Sequence, residues 1–148
     1  MKIILLRLLL LTSLVIAGSP VDATTAITPQ QKIALNKTND WILKQAFLNK
    51  KSGLQVRGGG VVSSLLSDDI TGDRHQRFIL RLASGQTLLM AHNVDIAPRL
   101  VGLRQGNTVN FYGQYEWNEY GGLVHWTHRD PNGQHINGWL KYLGKIYQ

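Results

Sequence analysis

The sequence predicts a mainly β protein: a five-stranded antiparallel barrel preceded by one amphipathic helix. Three observations carry this expectation. After Leu54, apolar and polar residues alternate through most of the chain, which is the period of a half-buried strand. Clusters of Gly, Asn and Asp break that alternation at short intervals, as hairpin turns require. The first alternating run contains Gly58-Gly59-Gly60, and closing a small barrel needs a sharply bent strand at such a place. Composition agrees with one globular domain: 148 residues, of which 43% are hydrophobic and 17% charged.

Residues 1–23 stand apart from the rest. Lys2 and Arg7 precede or enter an apolar run, Leu8–Ala17, and Val21-Asp22-Ala23 offers a small-residue boundary before Thr24. This is the layout of a secretory signal peptide. A membrane anchor is the competing reading, but ten apolar residues fall short of the ~20 needed to cross a bilayer. A cut after Ala17 stays open as well. Removing residues 1–23 leaves 125 residues, and losing Lys2, Arg7 and Asp22 takes the formal charge from +7 to +6. A chain of that size folds on its core without disulfides. The expectation is a periplasmic or secreted protein with no stable membrane span after cleavage and an oligomeric state that the sequence leaves open.

The helical segment covers residues 24–52. Thr28 suits the N-cap, Pro29 the first turn, and Gln31 completes a capping box. Ile33, Trp41, Ile42 and Phe47, helped by Ala34 and Ala46, mark the expected apolar face. Asn36, Thr38, Asn39 and Asp40 weaken the middle, so one helix or two shorter ones fit; Lys50, Lys51 and Gly53 favour an end there. The β domain with its C-terminal capping segment then covers 53–148. Strands are expected at Leu54–Leu66, His75–Leu82, Gln86–Asn93, Thr108–Trp117 and Leu123–Asp130, with one helical turn within Val94–Val101. Val62, Phe78, Leu80, Leu88, Val109, Phe111 and Trp126 form the expected core. Trp139, Leu140, Tyr142 and Ile146 are expected to cap one end of it.

This order, and the run LRQGNTVNFYGQY leading into the fourth strand, resembles the OB-fold, a five-stranded Greek-key barrel. A plain antiparallel meander covered by the helix is the competing architecture.

The chain has no Cys, which excludes a disulfide scaffold, Cys-ligated metal and a thiol nucleophile. It also lacks a P-loop, a serine nucleophile elbow and the HExxH pattern. No cofactor is expected. All five histidines lie between positions 75 and 135. HWTHRDPNGQH holds His125, His128, Asp130 and His135, and neutral imidazole with carboxylate is the donor set of a metal site. On a regular strand, however, His128 and Asp130 face one way and His125 the other. His128, Asp130 and His135 are thus the only metal candidates, against the plainer reading of a hydrogen-bonded surface cluster.

Candidate catalytic residues are His92, Asp95, His125, His128 and Asp130. His92 with Asp95 has the composition of a general base and its orienting carboxylate, or of a simple cap. Candidate ligand-binding residues are His75, Arg77, Arg81 and Tyr112. Arg77 and Arg81 share one side of a strand, and cations beside an aromatic ring suit a polyanion.

HQRF at His75–Phe78, AHN at Ala91–Asn93, APR at Ala97–Arg99 and HWTH with DP at His125–Pro131 together resemble a bacterial family, the domain of unknown function 3465. The likeness covers roughly residues 45–148. It implies a single exported domain and carries no activity. The two-arginine, carboxylate and calcium pattern of the staphylococcal-nuclease version of the OB-fold has no counterpart here, so no catalytic residue transfers from it.

Two functions are weighed on this basis. The first is an exported binding module for an anionic polymer, an oligonucleotide or an acidic glycan, on a basic and aromatic face. The second is a His/Asp-dependent hydrolase, with or without a metal. An interaction domain for another protein also fits.

Overall fold

The computed structural model describes residues 26–148; the expected signal segment and its cleavage site lie outside them. The chain order is α1 (Pro29–Leu48), β1 (Leu54–Leu65), β2 (His75–Arg81), β3 (Thr87–Asn93), β4 (Thr108–Glu116), β5 (Leu123–His125), β6 (Trp139–Tyr142) and β7 (Lys145–Tyr147). Strands β1-β2-β3-β5-β4 lie side by side in that order, and β4 pairs with β1 to close the barrel. The ring is mixed rather than wholly antiparallel, because β3 and β5 run parallel through Leu89↔Leu123 and Met90↔Val124. The reason is parity: five strands in a closed ring cannot alternate direction all the way round, so one neighbouring pair has to be parallel.

Glycine makes the closure sterically feasible. A Cβ on Gly58 would lie 2.7 Å from Cζ of Phe111, the core ring opposite, and one on Gly60 would lie 2.7 Å from the Arg81 carbonyl oxygen. β1 passes from β4 to β2 at Val61, which pairs with both, and beyond Val62 a register shift bends it again. Inward residues of the barrel strands, among them Phe78, Leu80, Leu88, Met90, Val109 and Phe111, form one buried cluster. Six of the seven expected core residues are there. Trp126 is not; it stands half-exposed outside the barrel.

Helix α1 is a single helix whose Thr28 capping box forms on both sides: Gln31 N–H donates to Thr28 Oγ1 at 3.2 Å, and Thr28 N–H to Gln31 Oε1 at 2.7 Å. Its packed face differs from the expected one. Asn39, Asp40, Leu43 and Ala46 are buried, whereas Ile33, Ile42 and Trp41 are exposed, Trp41 by 63%. Asp40 decides the orientation, since its Oδ2 accepts the Ser84 N–H at 2.9 Å in the β2–β3 turn. Nearby, Trp117 Nε1–H donates to the Phe47 carbonyl at 3.1 Å. The C-cap is Asn49 rather than Gly53, which takes a positive φ in the turn before β1. The helix thus seals the barrel end that carries the β2–β3 and β4–β5 turns.

The tail also differs from expectation. It forms a hairpin, β6–β7, turned at Leu143 and Gly144 with φ of 48° and 77°, the left-handed pair of a type I′ turn. β6 pairs with β4 at Asn110–Tyr112, along the edge that β5 occupies further on. Leu140 and Tyr142 are buried, but Ile146 is exposed. Residues 94–96 form a turn and 97–100 an irregular segment, with no α- or 3₁₀-helix there. No helix among the described residues is long and apolar enough to cross a membrane.

Candidate functional site

The end of the barrel opposite α1 carries a cleft of about 510 Å³. It lies where β2 begins and where β3 and β5 end. His75, His125, His128 and His135 line it, together with Asp73 and Asp130. Regular strand alternation through residue 130 would put His125 and His128 on opposite sides. That alternation fails because β5 stops at His125 and Trp126 takes a left-handed φ of 50°, which turns the chain over. A non-glycine residue there is strained, and the packing around it holds the strain. A Cβ on Gly138 would come within 1.9 Å of the Trp126 carbonyl oxygen and 2.6 Å of that of Tyr112. Only glycine lets these three backbones meet.

Asp130 organises the following loop. Its carboxylate accepts N–H bonds from Asn132 at 2.8 Å and from His135 at 2.5 Å, which holds its pKa below the ordinary carboxylate value. His135 then stacks on Trp126, with ring centroids 3.9 Å apart and planes 11° apart. Asp73 accepts a bond from the Asn93 amide at 3.1 Å.

The hydrogen bonds determine the tautomers. His75 Nδ1 faces the Asp73 carbonyl at 2.8 Å, and His128 Nδ1 faces the Arg129 carbonyl at 2.7 Å. A carbonyl only accepts, so both Nδ1 atoms carry the proton and both neutral rings keep a lone pair on Nε2. Neither Nε2 has a hydrogen-bond partner among the described residues. His125 Nε2 lies 3.6 Å from Glu116 Oε1, outside hydrogen-bond reach, and burial lowers its pKa more than Glu116 raises it. Buried Nδ1 of His135 has no partner either.

His92 and Asp95 do not meet in a dyad. His92 is buried beneath the cleft floor, where its Nε2–H donates to the Pro98 carbonyl at 3.1 Å and Thr127 Oγ1–H donates to its Nδ1 at 2.9 Å. Burial lowers its pKa to about 4. Asp95 instead accepts the Arg74 N–H at 2.6 Å. Among the described residues, no group of three or more His, Asp or Glu side chains is arranged to hold a metal ion, His128, Asp130 and His135 included.

A second surface lies across β1, β4 and β6, beside the first half of α1. Two adjoining grooves of about 450 and 430 Å³ share Lys32, Asn36 and Asn110. Arg81 lines the first; Arg57, Lys141 and Trp139 line the second. Neither has a carboxylate in its wall, and none of the four cations forms an ion pair with a described residue. Arg57 lies over the Tyr112 ring, 5.1 Å from its centroid, and Trp139 packs at 6.2 Å on the same tyrosine.

Arg81 and Tyr112 therefore belong to the region of this groove, while Arg77 does not. Arg77 Nε–H donates to the Ser67 carbonyl at 2.9 Å, beside the ion pair of Arg99 with Asp68. Sequence reasoning passed over Lys32, Arg57, Lys141 and Trp139, which come from three separate elements. Arg57 alone carried a signal, as an outward position in the alternation of β1.

The four short motifs of the sequence meet around the cleft: His75, Ala91, Asn93, His125, Trp126, His128, Asp130 and Pro131 contribute to its wall, and His92 with Pro98 lies under it. No curated protein matches the chain in sequence. A family match does span residues 27–148, covering the barrel, the cleft and the groove, and by it the chain belongs to the family described as Protein of unknown function (DUF3465).

Proposed function

We propose that the protein binds a flexible anionic polymer along the groove formed by α1, β1, β4 and β6. One observation carries this reading: Lys32, Arg57, Arg81 and Lys141 face a shared trough without a carboxylate in its wall. Uncompensated cations attract a polyanion by releasing its counterions, and Trp139 with Tyr112 adds aromatic surface on which bases or sugar rings stack. With residues 1–23 read as an export signal, the polymer is met in the periplasm or outside the cell.

The hydrolase is the second reading, favoured by the free Nε2 atoms of His75 and His128. It ranks lower because no Lys or Arg among the described residues lines the cleft, so charge developing on a phosphoryl or acyl oxygen finds no cationic clamp among them.

Affinity for oligothymidylate and for oligogalacturonate, measured across a salt series, tests the proposal and separates the two polymer classes. Four contacts to a single strand give a log–log salt slope of about −3. The double variant Arg57→Ala/Lys141→Ala should bind at least about tenfold more weakly and lose about 1.4 units of slope, whereas Arg77→Ala should bind like the wild type. A wild type that binds neither polymer at low salt overturns the reading. Turnover of either polymer that disappears in His128→Ala with binding retained would favour the hydrolase.

A further inference from the structure

The histidine cleft has a charge character opposite to that of the groove. Among the described residues, Asp73 and Asp130 are its only formally charged groups when the imidazoles are neutral, and no Lys or Arg lines it. Their hydrogen-bond partners are an amide and backbone N–H groups, which orient the carboxylates without neutralising them. The basic residue beside His128, Arg129, is exposed and is not among the residues that line the cleft. Glu116, next to His125, adds a further negative charge nearby.

The cleft also presents surplus acceptors. His128 is only 4% exposed and lines the cleft, and with Nδ1–H bound to a backbone carbonyl its Nε2 lone pair is unpartnered. His75, which also lines the cleft, turns its Nδ1–H to a backbone carbonyl in the same way. Trp126, Ile96 and Pro131 supply apolar surface between these polar groups. An anion would have to sit against two carboxylates, whose like charge repels it. A neutral ring would leave both charges uncompensated.

We propose that the cleft binds a small organic cation, a primary ammonium or a guanidinium, attracted by the charges of Asp73 and Asp130 and donating an N–H bond to the unpartnered Nε2 of His128 or of His75. Its alkyl part lies along Trp126, whose π face further favours a cation. The cleft volume, about 510 Å³, is in the range of small-molecule sites. This inference is independent of polymer binding in the groove.

Calorimetry and imidazole-nitrogen NMR on the protein test it with four probes: agmatine, n-butylammonium, N-acetylglucosamine and inorganic phosphate. At least one of the two cations should bind with a Kd of about 1 mM or tighter, shifting the Nε2 resonance of His128 or of His75. Which of the two binds more tightly tells guanidinium from ammonium recognition. Asp73→Asn removes one charge while keeping an oxygen for the Asn93 amide, and should weaken that cation roughly tenfold with an unchanged melting temperature. Arg57→Ala/Lys141→Ala should leave cation binding as it is. Absence of binding by both cations at about 20 mM, equal or tighter binding of phosphate or N-acetylglucosamine, or an Asp73→Asn variant with unaltered affinity would each overturn the proposal.

Discussion

Acidification should destabilise the fold through His92 before its carboxylates begin to protonate. The ring is fully buried and donates to Pro98 while accepting from Thr127, an arrangement that suits only the neutral tautomer. Its pKa falls from 6.5 to about 4 on folding. The unfolded chain therefore binds a proton between these values while the folded chain does not. Stability is complete above pH 6.5, is lost progressively as pH falls towards 4, and changes no further through this group below that. The full effect is about 3 kcal/mol, of which about 2 kcal/mol is lost between pH 7.5 and pH 5. Urea unfolding at the two pH values, in wild type and in His92→Gln, measures it. Glutamine retains a donor for Pro98 but cannot titrate, so the variant should be less stable at pH 7.5 and show a loss on acidification smaller by about 2 kcal/mol. His125, whose pKa is also lowered, acts in the same direction in both proteins and cancels in the comparison. Equal losses in the two proteins would refute the assignment of this pH dependence to His92.

Further outcomes follow from the packing. Thr127→Val keeps the shape but leaves His92 Nδ1 without its donor, and should cost about 1–3 kcal/mol in denaturant unfolding at pH 7.5. Gly138→Ala places a methyl group 1.9 Å from the Trp126 carbonyl oxygen; it should lower stability by at least ~2 kcal/mol and displace the resonances of Trp126 and His135. Asp40→Ala removes the carboxylate that accepts the Ser84 N–H and should loosen α1, with a cost of about 1–3 kcal/mol and faster amide exchange at Ser84. Unchanged exchange at Ser84 would show that the helix is held by Leu43 and its apolar neighbours alone.

Much of the architecture was legible because it rests on local rules. Thr28, Pro29 and Gln31 state where α1 begins, and the alternation from His75 to Arg81 states which side of β2 faces the core. The Gly58–Gly60 bend follows from the same kind of reasoning, since a strand without Cβ atoms marks close approach. The helix face was read less well. An apolar count favours Ile33, Trp41 and Ile42, yet Asp40 finds a backbone donor 44 residues away, and that long-range bond turns Leu43 inward instead.

The site divides along the same line. The sequence by itself determined the inventory: a cationic chain without Cys, histidines confined to one half, and a HWTHRDP run that it read as the end of a strand. Tertiary structure alone decided which of those groups meet. One left-handed residue, Trp126, puts His125 and His128 into one cleft, and its conformation depends on Gly138 packing from twelve positions later. Barrel closure places Arg57 beside Tyr112 and brings Lys32, Arg81 and Lys141 from three other elements to the same face. Residue identity and spacing encode propensity over a few positions, whereas cross-strand register and ring closure depend on the whole chain, and both surfaces were set at that longer range.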